Sequence, residues 1–561
     1  MIRISGQQMS VKTSRLQAEW EQGVLVGLWD HTGRRWIEAN PETVAPLYLV
    51  FLRGETVPLG REIGDSVQLY AWNEHEAEIR IHSWHGDGIV RVAEEPESGG
   101  IVIEASGYSS RPGLRGCRWP LVGVDPSVRL VAPFFQGVRL PLDDPLLHQS
   151  RWHWPFQWEA GFCALDGGTS GLLILDPDDH FRYKSLTVGV PGHAHALGLE
   201  TEAYGPVHQN LAAGGVRWRI EPYSGEWTAA ADRYRELWAE RHRTALEGRP
   251  EWLNQLRLAF CWLPTNVEIL QAIQEQRIDP QTVLIHLPNW RTDPYDENYP
   301  TFRPSEEGRA FIREAQRRGF RVMPHFNAID MDPTHPTYPL FRDFQYRDIE
   351  TGRVQGWTWV PGRSLPVPES NRSRLLHRDK KVMVKIHPGL AMWRSVLKEE
   401  TARAVEELGL EAVFVDVTLC AWNTANALVE NQTPAEGMAR LIAELSRIGR
   451  GLLVGGEGRN EVTARHHGVT QAHLFRSWQT NLPELARLVE DGLIPLNERI
   501  FGRWCRSIGY SKLSGSTEEE RIRIRAHAVQ GAIPTLTVYS PEAIRSPNPT
   551  VAEVLATARG G

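Results

Sequence analysis

From Leu256 onward the chain alternates short apolar runs with helical patterns, and that rhythm leaves few folds open. The runs are "RLAFCWLP", "TVLIHLPNW", "RVMPHFNAID", "AVFVDVT", "GLLVGGEG", "AHLFRSW" and "AIPTLTVYS". Between them the spacing of apolar residues predicts helices at 306–318, 391–408, 436–448, 484–491 and 518–530. Buried strand-like runs separated by amphipathic segments are the mark of βαβ units. A further strand near Ile508 makes eight. The pattern suits a (β/α)8 barrel, whose usual size is about 250 residues. The expected barrel spans 251–561, with an insertion at about 333–385 above its mouth. Trp357 and Trp359 in that insertion either wall a cleft or pack the loop.

The first part of the chain reads as all-β. "SVQLYAWN", "EAEIRIHSW" and "GGIVIEASGY" alternate apolar with polar residues and are bounded by Gly, Pro, Asp and Asn. That is the pattern of a sandwich, expected over 1–222. "RWHWPFQWEAGF" puts large aromatics at about every second position, which fills the space between two sheets; a sugar-binding shelf is the other reading. In "GEWTAAADRYRELWAERH", Trp227, Tyr234, Leu237 and Trp238 fall near one helical face, so 223–250 is expected to be a linker helix. The fold class is therefore α/β: a C-terminal TIM barrel preceded by an all-β sandwich and a linker helix.

In such barrels the reacting groups sit at the C-terminal ends of the strands. Asp416 in "VFVDVT" and Glu457 in "VGGEG" interrupt two consecutive apolar runs at that end. Neighbouring strands lie about 4.8 Å apart. Two carboxyls on their tips can therefore reach the ~5–5.5 Å separation that retaining glycosidases use. Asp416 would attack the anomeric carbon, and Glu457 would protonate the leaving oxygen and later deprotonate water. Those roles require Asp416 ionised and Glu457 with a raised pKa. Either acid alone is equally well a helix cap. The glycines around Glu457 do not form GxGxxG, which excludes a dinucleotide site.

Other strand tips offer groups for a hydroxyl-rich ligand: Trp262, then Asn289 and Trp290, then His325, Asn327 and Asp330, with Trp422 beyond strand four and Arg476 on strand six. His286 and Asp332 lie beside them, Asp332 also being a candidate cap. His387 before Pro388 reads as a turn, and "RHHG" (465–468) reads as exposed. No HxH opens strand one and HExxH is absent; the "HAH" at His193 and His195 stands in the sandwich. No metal and no cofactor are expected.

Composition narrows the partners. The net charge is −7 with both signs interspersed, which excludes a nucleic-acid face. Five scattered cysteines with no CxxC pair form no disulfide framework and fit a reducing compartment. No apolar run is long enough to span a bilayer, so the expected location is the cytoplasm without membrane attachment. The 21 tryptophans lean toward carbohydrate, since flat indole faces stack on the C–H faces of sugars. Homo-oligomerisation is left open.

"FVDVT" and "GGEG", together with "DENYPTFRP" leading into "EAQRRGFRVMPHFNAIDMD", resemble the DUF6259 group of barrel proteins. That group is similar to retaining α-glycosidases of the endo-α-N-acetylgalactosaminidase type. The resemblance implies an Asp nucleophile in a strand-four "VDV" context and a Glu acid/base after strand five, which fall on Asp416 and Glu457. It also implies a galactose-mutarotase-like sandwich joined to the barrel by a helix. The chain departs from the pattern at Thr418, where an aromatic often follows, and at Gly458, where "TEW" is usual, so the sugar does not carry over. The expected function is a retaining glycoside hydrolase acting on α-linked glycosides through a covalent glycosyl-enzyme. The alternatives are a non-catalytic carbohydrate-binding protein with a degenerate barrel, or a transglycosylase on the same site.

Overall fold

The structure is a computed structural model. It describes residues 1–149, 151–178, 180–246, 248–360, 363–364, 382–449, 451–472 and 482–559. The chain divides into two compact units. One comprises Met1–Phe134, Val138–Arg241 and Trp422–Ala427; the other comprises Phe135–Gly137, His242–Ala421 and Leu428–Gly561.

The first unit is built from antiparallel sheets of five, ten and six strands. Its longest ladder pairs Gly86–Glu95 with Gly100–Ser109. Along the first of these strands Val90 and Val92 are buried while Ile89 and Arg91 are exposed, the alternation of a half-buried strand. Trp152, Trp154 and Trp158 from the aromatic-rich stretch are almost fully buried. Trp152 stacks on Phe134 and Trp158 on Trp218, so these rings fill the core. The helix Trp227–Arg241 follows the last strand. It buries Ala230, Ala231, Tyr234 and Trp238, with Tyr234 stacked on Phe162, and so packs as part of this unit.

The second unit is an eight-stranded parallel barrel: β1 (Leu258–Phe260), β2 (Val283–Leu287), β3 (Arg321–Asn327), β4 (Ala412–Asp416), β5 (Leu453–Glu457), β6 (Val469–Gln471), β7 (Arg506–Ile508) and β8 (Thr535–Leu536). β8 pairs with β1, and a parallel bridge between Ile508 and Ile533 closes the ring. β2, β4 and β5 are buried along their whole length, as strands covered on both faces must be. Leu284, Met323, Phe414, Leu453, Val469 and Ile508 meet inside as an apolar plug.

Some local features differ from the sequence expectation. The sixth strand is Val469–Gln471, ahead of the expected "AHLFRSW", most of which lies outside the described residues. Its three residues end at the level of Glu457, where the ring needs a partner for β5. A helix not expected from the sequence, Val267–Glu275, follows β1 and is capped by the Asn266 side chain. Helix Pro434–Leu445, between β4 and β5, carries a full capping box, Thr433 with Glu436, and proline at its first position. The insertion after β3 holds a small antiparallel sheet ordered Asp330–Met331, Val382–Lys385, Gly356–Val360, Arg363–Ser364. Trp357 and Trp359 stand on its third strand, and their side chains lie outside the described ones. No described helix is long and apolar enough to cross a membrane.

Candidate active site

Strand side chains alternate in direction, so the plug fixes what stands above it. On β4, Ala412 and Phe414 belong to the interior, and Asp416 is next in phase. On β5, Leu453 is interior and Gly455 faces Met323 across the ring, so Glu457 is next in phase. The same phase carries His325 and Asn327 above Met323, His286 above Leu284, and Gln471 above Val469. Val415 and Gly456 are register partners, which sets Asp416 beside Glu457. A polar layer thus caps the plug at the C-terminal end of the barrel.

The two acids act on one another: Glu457 raises the Asp416 pKa through its charge and through hydrogen bonding. Both residues are buried, at 7% and 5% exposure, and the Asp416 side chain keeps 10% of its surface in solvent. The backbone between them is clamped. Thr418 Oγ1 accepts from the Glu457 N–H at 2.9 Å and donates to the Glu457 carbonyl at 2.9 Å. The Val417 N–H donates to Glu457 Oε2 at 3.0 Å. Val417 holds φ at +54°, a left-handed conformation that a β-branched residue adopts only when its surroundings enforce it. The neighbouring glycines make room: a Cβ on Gly456 would meet the His467 ring at 2.3 Å, and one on Gly458, at φ +69°, would meet Leu419 at 2.7 Å. Thr418 thus supplies the clamp, and Gly458 leaves room for Leu419 beside it.

Aromatic groups close one side. The Tyr295 hydroxyl donates to Asp416 Oδ2 at 3.5 Å, and His325 Nε2 lies 3.6 Å from the same oxygen. Trp262, at φ +61°, packs edge-on against Tyr295 and His286, with its ring centre 6.3 Å from that of His325.

The electrostatics act strongly on Asp416. The Asp416 carboxyl is pushed well above the usual range, first by burial, then by the Glu457 charge and hydrogen bond, then by Asp296 and Asp330. The crowding of the two carboxyls thus favours the protonated form of Asp416. Burial holds His286 neutral, with its pKa lowered to about 3, and holds His325 well below its ordinary value. Lys385 is a buried cation, its Nζ 2.7 Å from Asp330 Oδ1. Burial lowers its pKa, but Asp330 and the more distant Asp416 outweigh that and raise it.

Breaking this pair leaves the Asp330 carboxylate buried without its counter-ion. Lys385→Met is expected to destabilise the barrel by about 3–5 kcal/mol, with Asp330→Asn in the same chain recovering a large part. Urea denaturation checks it; a loss below about 1 kcal/mol means that solvent reaches Asp330.

The expected ligand-binding residues divide. Trp262 and His325 join the Asp416 cluster. Asp330 lies behind it as the counter-ion of Lys385. Asn327 spends its side-chain oxygen on the N–H groups of Ile329 and Asp330, forming a turn. Trp290 is fully buried, donates to the His325 carbonyl at 2.8 Å and packs on Phe326, so it braces β3 and offers no face to a ligand. Asn289 is exposed and takes no part in the contacts described for the cluster. Trp422 groups with the sandwich unit, edge-on to Phe156. Arg476 lies outside the described residues. Asp332 caps a turn through the N–H groups of Asn298 and Thr334, and His387 accepts from the Gly389 N–H, also a turn. "RHHG" is not exposed as a whole, because His467 fits under Gly456 and is fully buried. The sequence reading did not single out Tyr295, Lys385 or Gln471. Tyr295 adjoins the quoted "DENYP", which was the available signal. Among the described residues no group of three or more His, Cys, Asp or Glu side chains is placed to hold a metal ion.

Residues 216–431 match DUF6259, a domain of unknown function; the match includes Asp416 and ends before Glu457. No curated protein sequence matches the chain. Among solved structures the chain is similar to the alpha-N-acetylgalactosaminidase NagBb from Bifidobacterium bifidum. Its GalNAc complex has a TM-score of 0.64 at 12% identity, covering 100% of this chain and 92% of that one. Its ligand-free form has a TM-score of 0.64 at 13% identity, covering 100% and 93%. Part of the chain is thus similar to DUF6259, and the chain as a whole shares the fold of NagBb.

Proposed function

We propose that the protein is a retaining glycoside hydrolase for α-linked glycosides, with Asp416 as nucleophile and Glu457 as acid/base. The observation that carries this reading is the pair of buried carboxyls at the C-terminal ends of adjacent strands, with Glu457 raising the pKa of Asp416 beside it. Retaining chemistry needs one carboxylate and one carboxylic acid close together, and an inverting pair stands ~6.5–9.5 Å apart to admit a water. The α-linkage rests on the resemblance of "FVDVT" and "GGEG" and on the shared fold with an alpha-N-acetylgalactosaminidase.

In this reading the sugar enters between the carboxyls and separates them. Asp416 keeps the Tyr295 hydroxyl and the His325 ring as neighbours, which stabilise its ionised form. The proton goes with Glu457 to the leaving oxygen. Asp416 bonds to the anomeric carbon as that C–O bond breaks. Glu457, now a carboxylate, takes a proton from water, which attacks the same carbon and frees Asp416.

A panel of nitrophenyl α- and β-glycosides tests this. The expected result is turnover of an α-glycoside, including the N-acetylgalactosaminide among those tried, with first-formed product of α configuration by proton NMR. The expected kcat/KM profile is a bell whose two limbs belong to the pair. Activity falls in acid when both carboxyls are protonated and in alkali when the shared proton is lost. The lift on Asp416 moves the alkaline limb upward. Turnover confined to β-glycosides, or β product from an α substrate, overturns the proposal.

A further inference from the structure

Beside the acids runs a chain of hydrogen bonds that the reaction above does not use, and it begins at a cysteine. Cys261 Sγ donates to the Gly509 carbonyl at 3.1 Å, a group that only accepts. The sulfur is thereby an acceptor toward Gln471, whose Nε2 lies 3.5 Å away. That amide nitrogen is also 3.5 Å from His286 Nδ1. The backbone N–H of Trp262 donates to the same Nδ1 at 3.4 Å.

Two N–H groups facing one ring nitrogen make it the acceptor and put the ring's proton on Nε2. His286 Nε2 lies 3.2 Å from His325 Nδ1, which must then accept, so His325 also carries its proton on Nε2. Among the described residues that atom is buried without a hydrogen-bond partner, on a residue 1% exposed, and it lies 3.6 Å from Asp416 Oδ2.

We infer that Gln471, the Trp262 backbone and His286 form a relay that locks His325 as a neutral Nε2–H donor to Asp416. The inference rests on the reading of Asp416 as the nucleophile. Tyr295 and His325 both converge on Oδ2, which leaves Oδ1 as the attacking oxygen. The gap of 3.6 Å is longer than a hydrogen bond and closes when the sugar parts Asp416 from Glu457; hydrogen bonds of empty catalytic sites are commonly long. His325 cannot take a second proton without setting Nδ1–H against the Nε2–H of His286. The charges facing the relay are Glu457 beside His286, and Asp416 and Arg291 beside His325. His325 is thus a positioning residue, and Gln471 sets its tautomer from two residues away.

Two experiments read this. The first needs no substrate: long-range proton–nitrogen NMR of the full chain labelled with 15N-histidine, assigned with His286→Gln and His325→Gln. Both rings are expected neutral with the proton on Nε2 from pH 5 to 8, Gln471→Met is expected to mix the His286 tautomers, and Asp416→Asn to move the His325 Nε2–H resonance. A ring protonated on Nδ1, a titration near pH 6.5, or a His325 resonance indifferent to Asp416→Asn overturns the relay. The second is kinetic. His325→Leu is expected to lower kcat about 100-fold with KM nearly unchanged, as when one preorganised donor is lost. His325→Gln, which keeps an N–H there, is expected to recover most of it. Equal activity in the Leu variant and the unsubstituted protein overturns the donor role. If no glycoside is turned over while the NMR pattern holds, the relay stands and the hydrolase reading fails.

Discussion

Asp416→Asn is expected to abolish turnover, by about 10⁴-fold or more, while making the protein more stable at neutral pH. The first effect follows from removing the covalent nucleophile; the remaining groups bind and polarise but form no intermediate. The second follows from linkage. The carboxyl of Asp416 is raised in the folded chain by burial and by Glu457. A raised acid binds more protons folded than unfolded, so its favourable contribution is complete below the unfolded pKa. It is lost as pH climbs toward the folded pKa. At neutral pH the unsubstituted protein bears the strain of the crowded acids, and asparagine, which is neutral and similar in shape, relieves it. The thermal midpoint of the barrel is expected to rise by about 1–3 °C at pH 7, with no gain below pH 4. A drop at neutral pH would mean that Asp416 is held as a carboxylate by donors stronger than Tyr295 and His325.

Glu457→Ala is expected to slow glycosides with poor leaving groups by about 10²–10⁴-fold, the usual range for a lost general acid. Substrates whose leaving groups need no proton should lose far less in the first step and then stall, because no base activates water. Azide needs no base and fits the space left by the carboxylate, so it is expected to restore turnover and yield an α-glycosyl azide. Failure of azide to accelerate the variant would remove Glu457 from the acid/base role. The clamp makes the variant a fair test. Thr418 holds the backbone of residue 457 through its N–H and carbonyl, and those bonds do not involve the deleted carboxyl.

Much of this architecture is legible in the residues, for a physical reason. Strands buried on both faces must be apolar throughout, so a carboxylate at the end of such a run stands out. Asp416 and Glu457 are such exceptions, and the two-residue period that sends Phe414 into the plug sends Asp416 inward as well. What supports the acids is less legible. Tyr295 comes from the segment after β2, and Lys385 from the last strand of the insertion's small sheet. Neither stands at a fixed offset from the acid it serves. Gln471 escapes notice because β6 is only three residues long and the apolar pull of the following "AHLF" shifts the expected strand past it. Trp290 and Asn327 show the opposite error. Both are residue types that bind sugars, in the right place along the chain, yet one braces β3 and the other closes a turn. The lift on Asp416 comes first from burial and from Glu457; only the smaller share, from Asp296 and Asp330 gathering around it, has no signal along the chain.

The central claim is a covalent bond between a sugar and Asp416, and the most direct test is to catch it. The Glu457→Ala chain is mixed briefly with the α-glycosyl fluoride of whichever sugar the glycoside panel selects, quenched in acid, digested and mapped by mass spectrometry. The account predicts one added glycosyl unit, on the peptide containing Asp416 and lost on incubation with azide. An unlabelled Asp416 peptide with the fluoride fully consumed, or the sugar attached to another residue, would contradict it.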